Sequence, residues 1–311
     1  MNTASLKYII KTILLILVIS FLADKIIFIA LNKISDKVYL GQRIGKINHY
    51  LEIKDDLNLI IFGSSRANHN INPVILSKNS FNMGVDGTKI AYSAALIKLL
   101  PVQKEQVILL NIDTFNAFSA DYNGSDIDGL SVKYNRNKAL KLEIDNLNQN
   151  NLIQNFYWSL SYNGLVIDLL KNYFMDDIYD YKSYFGYDPI YVSENQREIF
   201  KSIINEEKSQ DCQNNFTLNK IYDTKLREIK NFCKNNNKKL IIFTSPIFND
   251  KCKDDNIQFS QIMKNEELIY YDFTDFFKNN NSLAYWKDEI HLSNKGAEIF
   301  TEKIKKILDE N

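Results

Sequence analysis

The chain has 311 residues, and its 38 Lys and Arg balance 38 Asp and Glu to a formal charge of zero, which excludes an electrostatic nucleic-acid binder. With 45% hydrophobic and 13% aromatic residues it is too apolar to stay disordered. The Asn-rich runs 235–237 and 279–281 carry no functional weight, and the only imidazoles for chemistry near neutral pH are His49, His69 and His291.

The first element is the apolar run Tyr8–Leu31, which as a helix is roughly 36 Å long, enough to cross a hydrocarbon core. It is apolar all round, so it reads as a membrane span rather than a buried amphipathic helix. Its continuous centre, Ile13–Ala23, places Asp24 and Lys25 near the far interface. No small-x-small cleavage site follows, so the anchor is expected to stay uncleaved. The short amino-terminal flank puts everything from about residue 35 outside the cytoplasm. The expected organisation is an anchor over 1–34, a stalk or packing arm over 35–56, and a folded domain over 57–311.

Within that domain, strands are predicted at 57–63, 81–84 and 106–112, with a helical turn at 72–78 and a helix over 88–100. After a long interruption the alternation resumes: helix 217–237, strand 238–246, helix 256–265, strand 267–274 and a closing helix 294–308. This order predicts an α/β domain whose parallel sheet is covered on both faces, with its site at the carboxyl ends of the strands. The interruption at about 116–215 is too long for an ordinary connection. It reads either as a surface insertion or as a cap whose aromatics stack on sugar rings. Those aromatics are Phe156, Tyr157, Trp158, Tyr162, Tyr173 and Phe174, then Tyr179, Tyr181, Tyr184, Phe185 and Tyr187.

Two short blocks can carry chemistry. Gly63-Ser64-Ser65-Arg66 stands where the first apolar strand stops, a turn that can expose a serine hydroxyl. Asp288-Glu289-Ile290-His291 stands before the last helix, and a carboxylate three residues before a histidine can orient the ring through Nδ1 while Nε2 faces a serine. The pair of blocks in one α/β domain resembles the SGNH/GDSL hydrolase superfamily. The resemblance covers roughly 57–115 and 217–308. It implies a doubly wound three-layer sandwich with a central parallel sheet, of SGNH/flavodoxin-like type. Ser65 is then the nucleophile, with His291 as base and Asp288 as orienting acid, and Phe81-Asn82-Met83-Gly84 matches the block that supplies an oxyanion donor. The implied oxyanion hole uses the N–H groups of Ser65 and Gly84. Ser64 replaces the family's acidic residue, and Asn111-Ile112-Asp113 replaces its Gly-x-Asn-Asp block, so Asn111 or Asn116 takes the place of the third donor. An ionised Asp113 would repel the developing charge.

The departures look like membrane-anchored, extracytoplasmic branches of that superfamily, which act on exported polysaccharides beside a multi-spanning membrane acyltransferase. The expected function is therefore an anchored serine O-acyltransferase or O-acyl esterase working on an acylated cell-envelope glycan, with no cofactor and no metal. The alternative is a catalytically silent binding or assembly partner of a membrane acyltransferase. A flavodoxin-like nucleotide binder fits poorly, because no Gly-rich phosphate loop opens a helix. Arg66 is expected either to bind an anionic substrate group or to pair with a carboxylate, and His69 either to bind substrate or to hold the turn. Cys212, Cys233 and Cys252 read as unrelated thiols rather than as a Cys212–Cys252 bridge.

Overall fold

The structure, a computed structural model, describes residues 3–149, 151–175, 181–204, 212–213 and 215–310. It begins with α1 (Thr3–Ser35), one helix long and apolar enough to cross a membrane. A five-residue π-helical turn (Gly41–Gly45) leads into α2 (Lys46–Ile53), whose Ile47 and Tyr50 are fully buried in the domain core. The expected arm between anchor and domain is thus packed into the domain rather than standing free.

Next come β1 (Leu59–Phe62), α3 (Ser65–Asn70), α4 (Pro73–Leu76), β2 (Ser80–Asn82), α5 (Ile90–Ile97) and β3 (Gln106–Asn111). The insertion follows, with α6 (Thr114–Phe118), α7 (Lys138–Asn146), α8 (Leu152–Phe156), α9 (Val166–Phe174), α10 (Tyr181–Tyr184) and α11 (Glu194–Ile204). Among the described residues it contains no strand. The domain closes with α12 (Lys220–Asn235), β4 (Lys238–Thr244), α13 (Lys253–Asn265), β5 (Ile269–Asp272) and α14 (Asn294–Glu310).

The five strands form one parallel sheet in the order β2-β1-β3-β4-β5. Apolar residues run without interruption along β1 because both its faces are buried. Ile60 and Phe62 of β1, with Ile108 and Leu110 of β3, meet α2, α5, α12 and α13. Leu59, Ile61 and Leu109 point the other way, onto α3 and α14. The chain leaves β1 toward β2 and returns past it to β3, so the loops after β1 and β3 diverge at the carboxyl edge.

Several of the insertion's aromatics serve packing, while Phe174 is exposed. Tyr162 and Tyr187 are fully buried, Phe156 and Trp158 lie against α1, and Tyr181 stacks on Tyr39 at 5.3 Å. Tyr179 lies outside the described residues. The thiol expectation is corrected too: Cys212 and Cys252 form a disulfide, leaving Cys233 buried and free. Folding brings together two positions 40 residues apart, a proximity no spacing rule reveals.

Candidate functional site

The serine turn is set by Gly63, whose φ of +144° suits a residue without a side chain. A Cβ there would stand 2.8 Å from Asn111 Cβ and 3.0 Å from Ala67 Cβ. The turn lets α3 start immediately after β1. Ser64 caps it by accepting the Arg66 N–H at 3.4 Å, and Ser65 takes the first helical position.

On the facing loop, Asp288 accepts the backbone N–H groups of Ile290 (3.0 Å) and His291 (2.9 Å), which curls the segment so that both carboxylate oxygens reach His291 Nδ1 at 2.9 Å. Asn70, fully buried at the end of α3, clamps this loop: it accepts the Leu292 N–H at 2.9 Å and donates to the Ile290 carbonyl at 3.3 Å. One short helix therefore carries Ser65 at its start and the clamp for the histidine loop at its end. His291 Nε2 lies 2.8 Å from Ser65 Oγ. The carboxylate can only accept, so Nδ1 carries a proton and the Nε2 lone pair faces the serine hydroxyl. Burial opposes ionisation of Asp288, but the hydrogen bond from His291, the Ile290 N–H and Lys287 outweigh it and hold the carboxyl below its ordinary range.

The expected oxyanion donors are not brought together in the same way. Ser65 N–H, at the first position of α3, is among the groups a helix start leaves without an intrahelical acceptor. Gly84 N–H instead donates to Asn82 Oδ1 at 2.9 Å. That amide is locked, because Asn82 Nδ2 donates to the carbonyls of Ala67 and Ile71 at 2.7 Å each. Asn111 Nδ2 donates to Ser245 Oγ at 2.9 Å and Asn116 Nδ2 to Asp113 at 3.1 Å. Of the expected donors, Ser65 N–H alone is not drawn into such a bond among the described residues.

Arg66 does not face solvent or a ligand space. It is 2% exposed and donates to the carbonyls of Ser245 and Pro246, tying α3 to the loop after β4; burial lowers its pKa. Of the two roles expected for Arg66, neither is what its hydrogen bonds serve: from the second position of an inward-packed helix the side chain reaches past β3 to the loop after β4.

His69 is buried, with Nδ1 2.6 Å from the Asp188 carbonyl oxygen and Nε2 3.1 Å from Asp86. Two acceptors call for two N–H groups, and although burial opposes the charge, Asp86 and Asp188 raise the pKa of His69. Its ring meets that of His291 edge-on at 5.7 Å. Asn68 continues the network by donating to Asp86 at 3.0 Å and accepting from the buried Lys46 at 2.7 Å. Burial pushes Lys46 down to about 7, against the pull of Asp188 and Asp86. Sequence reasoning missed Lys46, Asn70, Asp86 and Asp188, which come from segments read as arm, loop and insertion.

Asp86, Gly87 and Thr88 also border an open cleft of about 940 Å³, whose far wall is insertion residues such as Ser125, Asp128, Gln149 and Asn151. Hydroxyl, amide and carboxylate groups dominate that wall. Tyr92, 1% exposed, borders the same cleft, and its hydroxyl has no hydrogen-bond partner among the described residues. No protein-family model matches the chain, and no curated protein matches it.

Proposed function

We propose that the protein is a membrane-anchored serine acyl-transfer enzyme acting on an acylated, polyhydroxylated substrate such as a cell-envelope glycan. The observation that carries this reading is the Ser65–His291–Asp288 relay, with contacts of 2.8 and 2.9 Å at the carboxyl edge of the sheet. Ser65 Oγ attacks the acyl carbonyl carbon while His291 Nε2 takes its proton; the bond to the leaving alcohol breaks as His291 returns that proton to the alcohol oxygen. Water or an acceptor hydroxyl, deprotonated by the same nitrogen, then attacks the acyl carbon, and the bond to Ser65 Oγ breaks as His291 returns the proton to that oxygen. Ser65 N–H stabilises the tetrahedral oxyanion. Asp288, held ionised, keeps the ring in the productive tautomer.

We read the fold as the doubly wound three-layer sandwich of the SGNH/GDSL superfamily, a reading supported by the strand order and the placement of the relay. The polar cleft beside Asp86 suits a substrate rich in hydroxyls, since amide and carboxylate groups pair with them in both donor and acceptor senses. The Cys212–Cys252 disulfide supports an extracytoplasmic domain, because such bonds persist in oxidising compartments. The engagement of Gly84 N–H and Asn111 elsewhere favours a second reading, a silent binding partner of a membrane acyltransferase. Turnover of an aryl acetate and of an acetylated glycan, with and without a sugar acceptor, tests the choice. The enzyme reading expects turnover that Ser65→Ala abolishes, and equal turnover by Ser65→Ala sinks it.

A further inference from the structure

The insertion does more than cover the sheet edge: it meets α1 along the turns Ser20–Asn32. Ser20 Oγ lies 2.9 Å from Tyr157 OH, Phe21 packs on Phe156 at 4.9 Å, and Asn32 accepts from Tyr162 OH at 2.6 Å. From Leu6 to Ser20 the helix rises only about 21 Å, whereas a hydrocarbon core is about 30 Å thick and takes about 20 helical residues. A span that starts at Leu6 therefore ends near Ile26, beyond the level at which the insertion takes hold.

The side chains at that level agree. Ile26 is 70% exposed, and Leu22, Ile27 and Ile29 are exposed with it, so the bare apolar surface of α1 continues alongside the gripped side. The charges of the same turns are sealed. Asp24, 4% exposed, accepts from the N–H groups of Trp158 (2.8 Å) and Ser159 (2.9 Å), from Ser159 Oγ (2.5 Å) and from Lys25 (2.9 Å). Lys25 also donates to the Phe156 carbonyl at 2.6 Å and lies over the Trp158 ring at 4.2 Å. A paired and fully hydrogen-bonded ion pair is the form in which charge is tolerated at membrane depth. Asp24 and Lys25, expected near the far interface, are also engaged in a protein contact there.

The helix that flanks this contact is apolar on its outer side as well as its inner one. Leu165 and Leu169 turn inward onto the cluster containing Phe28, while Ile167 (82% exposed), Leu170 and Phe174 (76%) form an outer stripe on α9 with Lys171 between them. A water-facing helix carries polar groups on that side.

We infer that the outer face of α9 is a second membrane contact, set into the interfacial zone where the hydrocarbon core ends and continuous with the exposed face of α1, with Lys171 reaching up to the headgroups. The domain is then held flush against the bilayer instead of swinging on a tether. The inference rests on α1 spanning a membrane, not on the catalytic reading. It is tested with the full chain in liposomes, spin-labelled at Ile167→Cys or Phe174→Cys, with Leu15→Cys in the span and Val102→Cys on an exposed loop as references. The native cysteines do not compete, being disulfide-bonded or buried. The oxygen-to-nickel-chelate collision ratio at 167 and 174 should fall between those of the two references and exceed Val102→Cys severalfold, since a polar chelate is depleted toward hydrocarbon. A ratio equal to that at 102 would put this face in water and overturn the inference. Access by neither reagent would mean a protein covers the face, which overturns the inference in favour of a second copy. Nickel access at 15 as well would remove the span itself.

Discussion

Breaking the Cys212–Cys252 bond gives a prediction whose size follows from the chain. The bridge closes a loop of 40 residues, for which chain entropy gives about 13 cal/mol/K, or about 3.9 kcal/mol at 25 °C. Native-state relaxation and residual unfolded structure lower such values, so Cys252→Ser should cost about 2–4 kcal/mol. In urea unfolding of the full chain in detergent, the midpoint should fall, while the slope rises because the uncrosslinked unfolded chain exposes more surface. Cys212→Ser should match Cys252→Ser, and the double variant should cost no more than either alone. The effect should reach the site, because the segment between β4 and Cys252 carries Ser245 and Pro246, which hold Arg66, and Phe248, whose N–H donates to Glu289 at 2.8 Å. Denatured without reductant, the protein should alkylate at Cys233 alone; reduced, at all three cysteines. Three reactive thiols without reductant, or an unchanged midpoint in the serine variant, would refute the reasoning.

Asp288→Asn should keep the fold and lower kcat by about 10²–10⁴, the range expected when the ring loses its tautomer-fixing carboxylate; an unchanged rate in ester hydrolysis would remove Asp288 from the relay. Gly63→Ala should destabilise by about 2–4 kcal/mol in thermal melts, since the added Cβ meets Asn111 and Ala67 at a backbone angle that favours glycine, and a loss below about 0.5 kcal/mol would contradict the turn geometry. Lys46 carries the pH dependence. With a folded value of about 7 against about 10.4 unfolded, the unfolded chain holds the extra proton between them. The cost of burying the charge is therefore full below pH 7, and stability rises with pH across that window, by up to about 5 kcal/mol. Lys46→Met should flatten that rise in denaturation series at pH 6 to 10, and a parallel curve would show that Lys46 titrates normally.

The sheet was legible because its central strands are built on short apolar runs bounded by turn residues. Runs 57–63, 106–112 and 238–246 contain the observed β1, β3 and β4 within a few residues. The proximity of Ser65 and His291 was legible for a related reason: loops at the carboxyl edge of a parallel sheet converge, whatever their separation in sequence. What stayed hidden depends on where a side chain turns after its element is placed. Arg66 and His69 follow Ser65 on one helix, yet the helical rotation sends one to the β4 loop and the other to Asp86 and Asp188. Gly84 sits where a donor was expected, but Asn82, two residues earlier, folds back onto its N–H. The insertion was hardest to read, because its apolar residues divide between the core, α1 and an uncovered outer face, so no single period marks it.

The central claim is that Ser65 is a nucleophile activated by His291. It is met most directly by treating the full chain in detergent with a fluorophosphonate, whose phosphorus forms a bond to an activated serine oxygen with loss of fluoride, and locating the adduct by peptide mass spectrometry. The account predicts one adduct, on Ser65, retained in Ser64→Ala and lost in both Ser65→Ala and His291→Ala. Absence of any adduct on the wild-type chain, or labelling of Ser65 that persists undiminished in His291→Ala, would contradict it.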